Sequence, residues 1–333
     1  MLISKTPFRM SFIGGGSDMK TFYSRKRGAV ISTAIDKYVY VSVNKKFDND
    51  IRLAYSINEE VSNVEELQHP LVRSTLKHMG VCNGIEITSI ADIPSKGTGL
   101  GSSSSFTVGL LNALSHYLNE GNNLNNYKEW LARNSCHVEI DLCKEPIGKQ
   151  DQYAAAYGGF NLIEFHDDEA VSIKPINISK TTIKEFQDNL IVFFTGITRS
   201  ASQILQQQTE NISNNSDIFF IMSEMVDLAY VMKDDLECGR LDNIGKLLDE
   251  AWSMKKKISK DVSTHIIDDL YSRGRNAGAY GGKLLGAGTG GFLIFYAHKD
   301  AHANICKALP DLQKVDFGFD SAGSQLVFDD RRE

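Results

Sequence analysis

The chain has 333 residues, 42% of them hydrophobic and 23% charged, a composition typical of globular proteins and a length that suits two domains. The formal net charge of −6 comes without a basic tail or arm, which argues against nucleic acid as the main partner. No apolar run approaches the ~20 residues that cross a membrane, and the N-terminal residues lack a signal-peptide pattern, so we expect a cytoplasmic protein with no membrane partner. The five cysteines lack the C-x-x-C spacing of metal and redox sites, which favours reduced thiols.

The first half of the chain predicts strands first and helices later. Residues 8–13 alternate apolar and polar side chains, which predicts a strand with one buried face, and a glycine turn follows at 14–18. Further strands are predicted at 29–43, 51–55 and 84–90, and helices at 69–79, 103–118 and 125–143. Pro146 favours the start of another helix, which would end at Gly158 and Gly159.

The second half predicts mainly helices, with short strands between them. The pattern returns to strand from residue 160 to about 178, and we expect the domain boundary there, between domains 1–170 and 171–333. Strands are predicted at 190–196, 292–296, 315–319 and 325–328, and helices at 200–212, 216–237, 243–258, 263–277 and 299–309. This order predicts a mixed α+β fold.

A glycine-serine stretch at residues 94–105 leads directly into the predicted helix at 103–118. Gly97, Gly99 and Gly101 alternate, so the backbone can turn tightly and approach a ligand without side-chain obstruction. Four serines follow where the helix begins, and the free N–H groups and positive dipole end of a first helical turn make an anion site. We expect a polyphosphate with a metal ion here; a flexible loop with a helix cap is the alternative.

A second glycine-rich stretch, Gly-Ala-Gly-Thr-Gly-Gly at 286–291, matches the pattern G-x-G-x-x-G. The dinucleotide-binding version of this pattern opens a helix, whereas this one opens a predicted strand, so we reject that interpretation. We instead expect this stretch to form a surface of glycines that packs against a ligand or against the other domain. A Walker A loop and the protein-kinase signatures are absent from the sequence, so ATP would require another architecture.

Four acidic residues and one arginine are candidates for chemistry: Asp18, Glu139, Asp141, Asp151 and Arg199. Asp151 lies three residues after Gly148 and either starts a helix or acts as a general base. Glu139 lies on a predicted helix, where a solvated surface position is the alternative to a metal ligand. Arg199 follows a predicted buried strand, and it either binds a phosphate group or is an ordinary exposed arginine.

Three motifs together resemble those of the GHMP kinases, the family of galactokinase, homoserine kinase, mevalonate kinase and phosphomevalonate kinase. They are Pro-x-Arg-x-Ser-Phe-x-Gly-Gly-Gly-Ser-Asp at 7–18, the glycine-serine stretch at 94–105 and Leu-Gly-Ala-Gly-Thr-Gly-Gly at 285–291. Their order and spacing cover nearly the whole chain. Residues 14–18, 148–153 and 195–199 resemble most the D-glycero-D-manno-heptose 7-phosphate kinase branch, and fucose and arabinose kinases share parts of this pattern.

The resemblance implies a two-domain GHMP kinase fold of class α+β. Its N-terminal domain would be similar to ribosomal protein S5 domain 2, and its C-terminal domain would be ferredoxin-like with added helices. ATP and a sugar would bind in the cleft between the domains. The loop residues that would wrap the ATP phosphates are Gly97, Gly99, Leu100, Gly101, Ser102, Ser103, Ser104 and Ser105.

The same resemblance implies roles for the charged candidates. Asp151 matches the catalytic aspartate, and Arg9 matches the arginine near the transferred phosphoryl group. Ser103 and Glu139 match the residues that bind Mg²⁺. Glu139 lies one residue further from Asp151 than in the mevalonate kinases, so Asp141 is the second candidate for the metal carboxylate.

The substrate side of the cleft is expected to contain Gly15, Gly16, Asp18 and Gly288, with Asp18 binding sugar hydroxyls. We expect Arg199, with Lys283 as the second candidate, to hold a distal phosphate of the substrate.

The implied reaction is transfer of the γ-phosphoryl group of ATP to the anomeric hydroxyl of D-glycero-D-manno-heptose 7-phosphate. Its product would be the 1,7-bisphosphate, for nucleotide-activated heptose and surface polysaccharide synthesis. The partner is then a small sugar phosphate, and a homodimer is compatible with the sequence. Two alternatives stay open: a kinase for an unphosphorylated sugar such as L-fucose, and a regulator that binds a nucleotide or a sugar without catalysis.

Overall fold

A computed structural model describes residues 1–93, 97–121, 125–197 and 202–331. Within these ranges the strands form a nine-stranded sheet and a four-stranded sheet, and helices pack against both. This mixture of sheets and helices confirms the predicted α+β class. Among the helices in these ranges, none is both long and apolar enough to cross a bilayer.

The first half of the chain supplies most of the larger sheet. Its strands are β1 (Leu2–Ile13), β2 (Gly28–Lys45), β3 (Ile51–Ala54), β4 (Asn58–Val61), β5 (Ile85–Ala91), β6 (Phe160–Phe165) and β7 (Val171–Pro175). Its helices are α1 (Lys20–Tyr23), α2 (Pro70–His78), α3 (Ser102–Tyr117), α4 (Tyr127–Cys136) and α5 (Gln150–Tyr157). The sequence pattern does not predict α1 and β4, which have four residues each.

The second half supplies the smaller sheet and most of the long helices. Its strands are β8 (Leu190–Phe194), β9 (Gly281–Leu284), β10 (Phe292–Tyr296), β11 (Gln313–Lys314), β12 (Phe319–Asp320) and β13 (Gln325–Asp329). Its helices are α6 (Lys180–Asp188), α7 (Ser202–Asn214), α8 (Ser216–Glu237), α9 (Ile244–Ile258), α10 (His265–Asn276) and α11 (His302–Ala308). The continuous strand predicted at 315–319 is wrong, since β11 ends before it and β12 begins at its last residue.

The larger sheet has the strand order β13-β1-β2-β5-β3-β4, and its pairs are antiparallel except β3 with β5. Strands β6 and β12 also pair with β2, and β7 extends β6. This sheet therefore includes β7, β12 and β13, which follow residue 170 in the chain. The division into domains at 170 stays a prediction.

Helices cover both sheets through the apolar faces that their spacing predicts. Helix α3 packs against β1 and β2, and its Leu110 lies in the same core as Phe8 of β1. Helix α9 packs against β9, and its Trp252 lies in a second core with Phe295 of β10. The backbone N–H of Arg9 donates to the carbonyl oxygen of Leu100 at 3.1 Å. Strand β1 is thus tied to the glycine-serine stretch that precedes α3.

Two predictions near the middle of the chain are wrong in detail. The helix predicted at 125–143 is α4 followed by a π-helical segment, His137–Leu142. The helix predicted from Pro146 begins only at Gln150. Its first turn is completed by Asp18, whose Oδ2 accepts a hydrogen bond from the N–H of Gln150 at 3.1 Å.

Candidate active site

A cavity of about 560 Å³ collects residues from all three glycine-containing motifs, and its size suits a small ligand. The residues selected from the sequence that line it are Arg9, Gly15, Gly16, Asp18, Gly97, Gly99, Gly101, Ser102, Ser103, Ser104, Glu139, Asp151 and Lys283. Residues separated by more than 270 positions in the chain therefore meet at one place. This cavity is the candidate active site.

The glycine-serine stretch lines the cavity and runs into α3. Gly99 has a φ of +77°, and a Cβ atom on it would lie 2.2 Å from the carbonyl oxygen of Leu285 in the third motif. The two glycine-rich stretches thus pack directly against each other. Helix α3 begins at Ser102, right after Gly101. The first N–H groups of a helix have no intrahelical acceptor, so they are available to an anion in the cavity.

Arg9 connects this stretch to Asp151. Its Nε and Nη2 atoms both lie 2.8 Å from Oδ1 of Asp151, and its Nη1 donates to the carbonyl oxygen of Gly99 at 2.6 Å. The side chain of Arg9 is 5% exposed, so its charge needs a close anionic partner, and Asp151 is that partner. The ion pair fixes Asp151 in the cavity wall.

Ser103 and Glu139 also meet in this wall. The Oγ of Ser103 donates to Oε1 of Glu139 at 2.9 Å, and Nε2 of Gln152 donates to Oε2 at 2.6 Å. Glu139 is fully buried, and burial raises the pKa of its carboxyl to about 7, although these hydrogen bonds favour the charged form. The interpretation of Glu139 as a solvated surface residue is therefore wrong.

A hydroxyl beside a carboxylate fits Mg²⁺, which takes few protein ligands and keeps positions for phosphate and water. Asp141, the second candidate, does not line the cavity. Its side chain is 63% exposed and accepts a hydrogen bond from Nδ1 of His137 at 2.9 Å. In the part of the chain that the structure describes, no group of three His, Cys, Asp or Glu residues could hold a metal. A metal here would depend on Ser103, Glu139 and the phosphate oxygens of its ligand.

Asp18 is buried where the first motif meets the start of α5. Its Oδ1 accepts hydrogen bonds from the N–H of Gly16 at 2.8 Å and from Nε2 of Gln150 at 3.1 Å. Gly148 leaves room for the carboxylate, because a Cβ atom there would lie 2.0 Å from Oδ2. Burial raises the pKa of the Asp18 carboxyl, and the negative charge of Asp151 raises it further. Asp18 is therefore held rigidly at the cavity.

Two lysines from the second half of the chain enter the same cavity. Lys283 of β9 donates to the carbonyl oxygens of Ser11 at 2.8 Å and Phe12 at 2.9 Å. Lys255 of α9, which no sequence motif indicates, donates to the carbonyl oxygen of Gly15 at 2.8 Å. Burial lowers the pKa of both ammonium groups, to about 8 for Lys255.

Some selected residues do not line the cavity. Leu100 is buried in the core, and the hydroxyl of Ser105 donates to a backbone carbonyl oxygen of β1 at 2.9 Å. Gly288 packs against the backbone of Val262. Arg199 lies outside the described residues.

Two family descriptions match the chain. GHMP kinases N terminal domain matches residues 67–159, and GHMP kinases C terminal matches residues 232–314. Together they match more than half of the chain. The first match includes the glycine-serine stretch, Glu139 and Asp151.

The chain is also similar to individual proteins along nearly its whole length. It is 28% identical to the D-glycero-alpha-D-manno-heptose 7-phosphate kinase of Campylobacter jejuni subsp. jejuni serotype O:2, over 96% of this chain and 97% of that protein. It is 26% identical to the bifunctional fucokinase/GDP-fucose pyrophosphorylase of Arabidopsis thaliana, over 89% of this chain and 30% of that protein. A crystal structure of a D-glycero-D-manno-heptose 1-phosphate kinase from Bacteriodes thetaiotaomicron has a TM-score of 0.78 and 24% identity, with 98% of each chain covered. This likeness confirms the fold expected from the three motifs.

Proposed function

The chain belongs to the GHMP kinase family, and on that premise we propose that it is an ATP-dependent sugar kinase. It transfers the γ-phosphoryl group of ATP to the anomeric hydroxyl of D-glycero-D-manno-heptose 7-phosphate and forms the 1,7-bisphosphate. The observation that carries this proposal is the Arg9–Asp151 ion pair, which shares one cavity with the glycine-serine stretch and with Asp18.

Asp151 is the candidate for orienting the acceptor hydroxyl and accepting its proton. Both contacts from Arg9 engage Oδ1, and no hydrogen bond among the described residues engages Oδ2. Oδ2 is therefore the oxygen available to a sugar hydroxyl. Because phosphoryl transfer has a loose transition state, we expect Asp151 to contribute by positioning the hydroxyl as well as by accepting its proton.

The donor side is assigned to the start of α3. The N–H groups of residues 102–104 would bind the phosphates of ATP, with Arg9 held nearby by Asp151 and by the carbonyl oxygen of Gly99. A magnesium ion bound by Ser103 and Glu139 would offset negative charge on the phosphate oxygens.

The acceptor is assigned from the Campylobacter jejuni relative and from the cations of the cavity. The name of that relative gives a heptose 7-phosphate as its substrate. Asp18, Gly15 and Gly16 are the candidates for contact with the sugar. Lys283 donates to two carbonyl oxygens of β1, and a lysine has three donors, so one donor and the charge are left for a distal phosphate. Arg199 stays the other candidate for this phosphate.

An unphosphorylated sugar such as L-fucose is the second candidate acceptor, because the Arabidopsis thaliana fucokinase relative matches 89% of this chain. A buried lysine in the cavity favours an acceptor that carries negative charge. A regulator without catalysis would need the glycine-serine stretch but not the Arg9–Asp151 pair, so this pair argues against it.

An assay of ADP formation tests the proposal with the purified protein, Mg²⁺ and a panel of acceptors. The panel contains heptose 7-phosphate, the same heptose without phosphate, L-fucose, galactose and mevalonate. We expect heptose 7-phosphate to give the highest kcat/KM, and phosphorus NMR to detect an anomeric phosphate in the product. A higher kcat/KM for L-fucose would favour the second candidate, and no ADP formation with any acceptor would contradict a kinase.

A further inference from the structure

Lys255 lines the cavity and has no role in the reaction proposed for Asp151, Arg9 and Asp18. It lies in the last turn of α9 and is 8% exposed. Its Nζ donates to the carbonyl oxygen of Gly15 at 2.8 Å and to Oε1 of Gln208 at 3.1 Å. Both acceptors are neutral. One N–H donor and the positive charge therefore remain for another group in the cavity.

A buried ammonium group is costly without an anion, and the cavity holds two of them. In the described part of the chain, neither Lys255 nor Lys283 has a carboxylate oxygen within ion-pair distance, and both are held by neutral oxygens. The charge of Asp18 acts on Lys255, but the oxygens of Asp18 already accept hydrogen bonds from Gly16 and Gln150. Among the described residues the two lysines therefore have no ion-pair partner, which favours an anionic ligand in the cavity.

The two lysines also line the same cavity and are held by the same motif. Burial is the main cause that lowers the pKa of Lys283, and the positive charge of Lys255 is the second. Lys283 is held by β1 at Ser11 and Phe12, and Lys255 is held at Gly15, a few residues further along the same motif. An anion in contact with both would lie beside the turn that carries Asp18.

We propose that Lys255 binds the phosphate group of the acceptor and, with Lys283, selects a sugar phosphate over an unphosphorylated sugar. This inference rests on the proposed function. The phosphates of ATP have their own site at the start of α3, so the anion beside Gly15 belongs to the acceptor. A phosphate held there tethers the sugar next to Asp18.

A charge-removing substitution tests this selection. Lys255→Met is compared with Lys257→Met, which removes an exposed charge two residues further along α9. The measured quantity is kcat/KM for heptose 7-phosphate divided by kcat/KM for the same heptose without phosphate. We expect this ratio to fall about 10- to 100-fold in Lys255→Met, the effect of one charge-assisted hydrogen bond, and to stay at the wild-type value in Lys257→Met.

Two other roles for Lys255 give different kinetics and would overturn the proposal. A purely structural role lowers kcat/KM equally for both sugars, so the ratio stays constant. Action on the transferred phosphoryl group lowers kcat equally with both sugars. Lys255→Gln, which still carries a donor for Gly15, is measured in the same way, so that a folding defect of the methionine variant does not leave the question open.

Inorganic phosphate separates a failure of this inference from a failure of the proposed function. The thermal midpoint is measured with and without phosphate, in the presence of Mg²⁺ and a non-hydrolysable ATP analogue that fills the donor site. We expect phosphate to raise the midpoint of the wild type and of Lys257→Met, and to raise it less in both Lys255 variants. Equal shifts in all four proteins would overturn the role of Lys255, whichever sugar is phosphorylated. If phosphate raises the thermal midpoints as expected but the protein phosphorylates no sugar, the proposed function is contradicted and the phosphate site is supported.

Discussion

Arg9 and Asp151 are joined through a single oxygen, since Nε and Nη2 of Arg9 both lie 2.8 Å from Oδ1 of Asp151. The same guanidinium reaches the carbonyl oxygen of Gly99 with Nη1 at 2.6 Å. The carboxylate is therefore oriented by a group that is itself fixed to the glycine-serine stretch. This arrangement leaves one carboxylate oxygen for chemistry and gives the first prediction.

Asp151→Asn should lower turnover by about 10²- to 10⁴-fold, the usual contribution of a general base, and leave the affinity for ATP within a few-fold of wild type. Asparagine keeps an oxygen for Arg9 but cannot accept the proton of the sugar hydroxyl. Steady-state rates and a calorimetric titration with ATP measure the two quantities. The exposed Asp167 gives the control, Asp167→Asn, which should leave both unchanged. Near-normal turnover in Asp151→Asn would refute the assignment.

Glu139→Gln should raise the Mg²⁺ concentration for half-maximal rate by at least about tenfold, because a neutral amide replaces the only carboxylate that contacts Ser103 in the described residues. Initial rates over a Mg²⁺ titration at fixed ATP give this value. Asp141→Asn is the control, since Asp141 faces solvent and contacts His137. If the Mg²⁺ concentration for half-maximal rate changes only in Asp141→Asn, the metal ligand is Asp141 and not Glu139.

Gly99→Ala should weaken ATP binding by about tenfold or more and lower the free energy of unfolding. The new Cβ would lie 2.2 Å from the carbonyl oxygen of Leu285, and backbone atoms cannot move aside as a flexible side chain can. Gly80→Ala is a matched control, because Gly80 has a similar φ of +70° with no atom near its Cβ position. It should cost about 1 kcal/mol from backbone strain alone and leave ATP affinity unchanged. Equal ATP affinities in the two variants would contradict the close packing of the loop.

The lowered pKa of Lys255 should make stability depend on pH. The folded pKa of about 8 lies below the ordinary value of 10.5, so between these values the unfolded chain holds a proton that the folded chain lacks. Burial is the main cause, while the charge of Asp18 opposes it and the charge of Arg9 adds to it. The contribution of Lys255 to the free energy of unfolding therefore rises with pH across this window. Relative to Lys255→Met, the wild type should gain on the order of 2–3 kcal/mol from about pH 7.5 to about pH 10.5.

Urea unfolding at three pH values across this window measures the gain. Lys257→Met should follow the wild type, because its side chain is exposed in the folded protein. Lys283 also has a lowered pKa, partly through the charge of Lys255, so Lys255→Met weakens the pH dependence of Lys283 and the measured difference contains a smaller contribution of the same sign from Lys283. A difference between wild type and Lys255→Met that does not change with pH would refute the prediction.

The sequence predicts the structure well where a turn needs glycine or where apolar residues recur along one face of an element. Gly99 and Gly101 both have positive φ in the structure, and their alternation predicts the turn before α3. The alternation in residues 8–13 likewise predicts β1. The contact between Arg9 and Asp151 joins residues 142 positions apart, and no local pattern predicts it. Only the resemblance to a family brings these two residues together before the structure is known.

No motif in the sequence indicates Lys255, because it belongs to a run of three lysines, which is typical of a solvated helix face. Its spacing indicates otherwise: Leu248, Ala251 and Ile258 lie on the same stripe of α9, and all three are buried. Counting helical positions through the lysine run identifies Lys255 as an inward residue. The burial of Glu139 has no such signal, since a π-helical turn shifts the face on which each side chain lies.

The pairing of β13 with β1 places Leu2 opposite Asp329. A ribosome that makes this protein produces β13 more than 300 residues after β1. During all that time β1, the strand that carries Arg9, has one edge without its native neighbour. An exposed strand edge can pair with strands of other chains, so slow or interrupted synthesis should lead to aggregates rather than to a folded fragment.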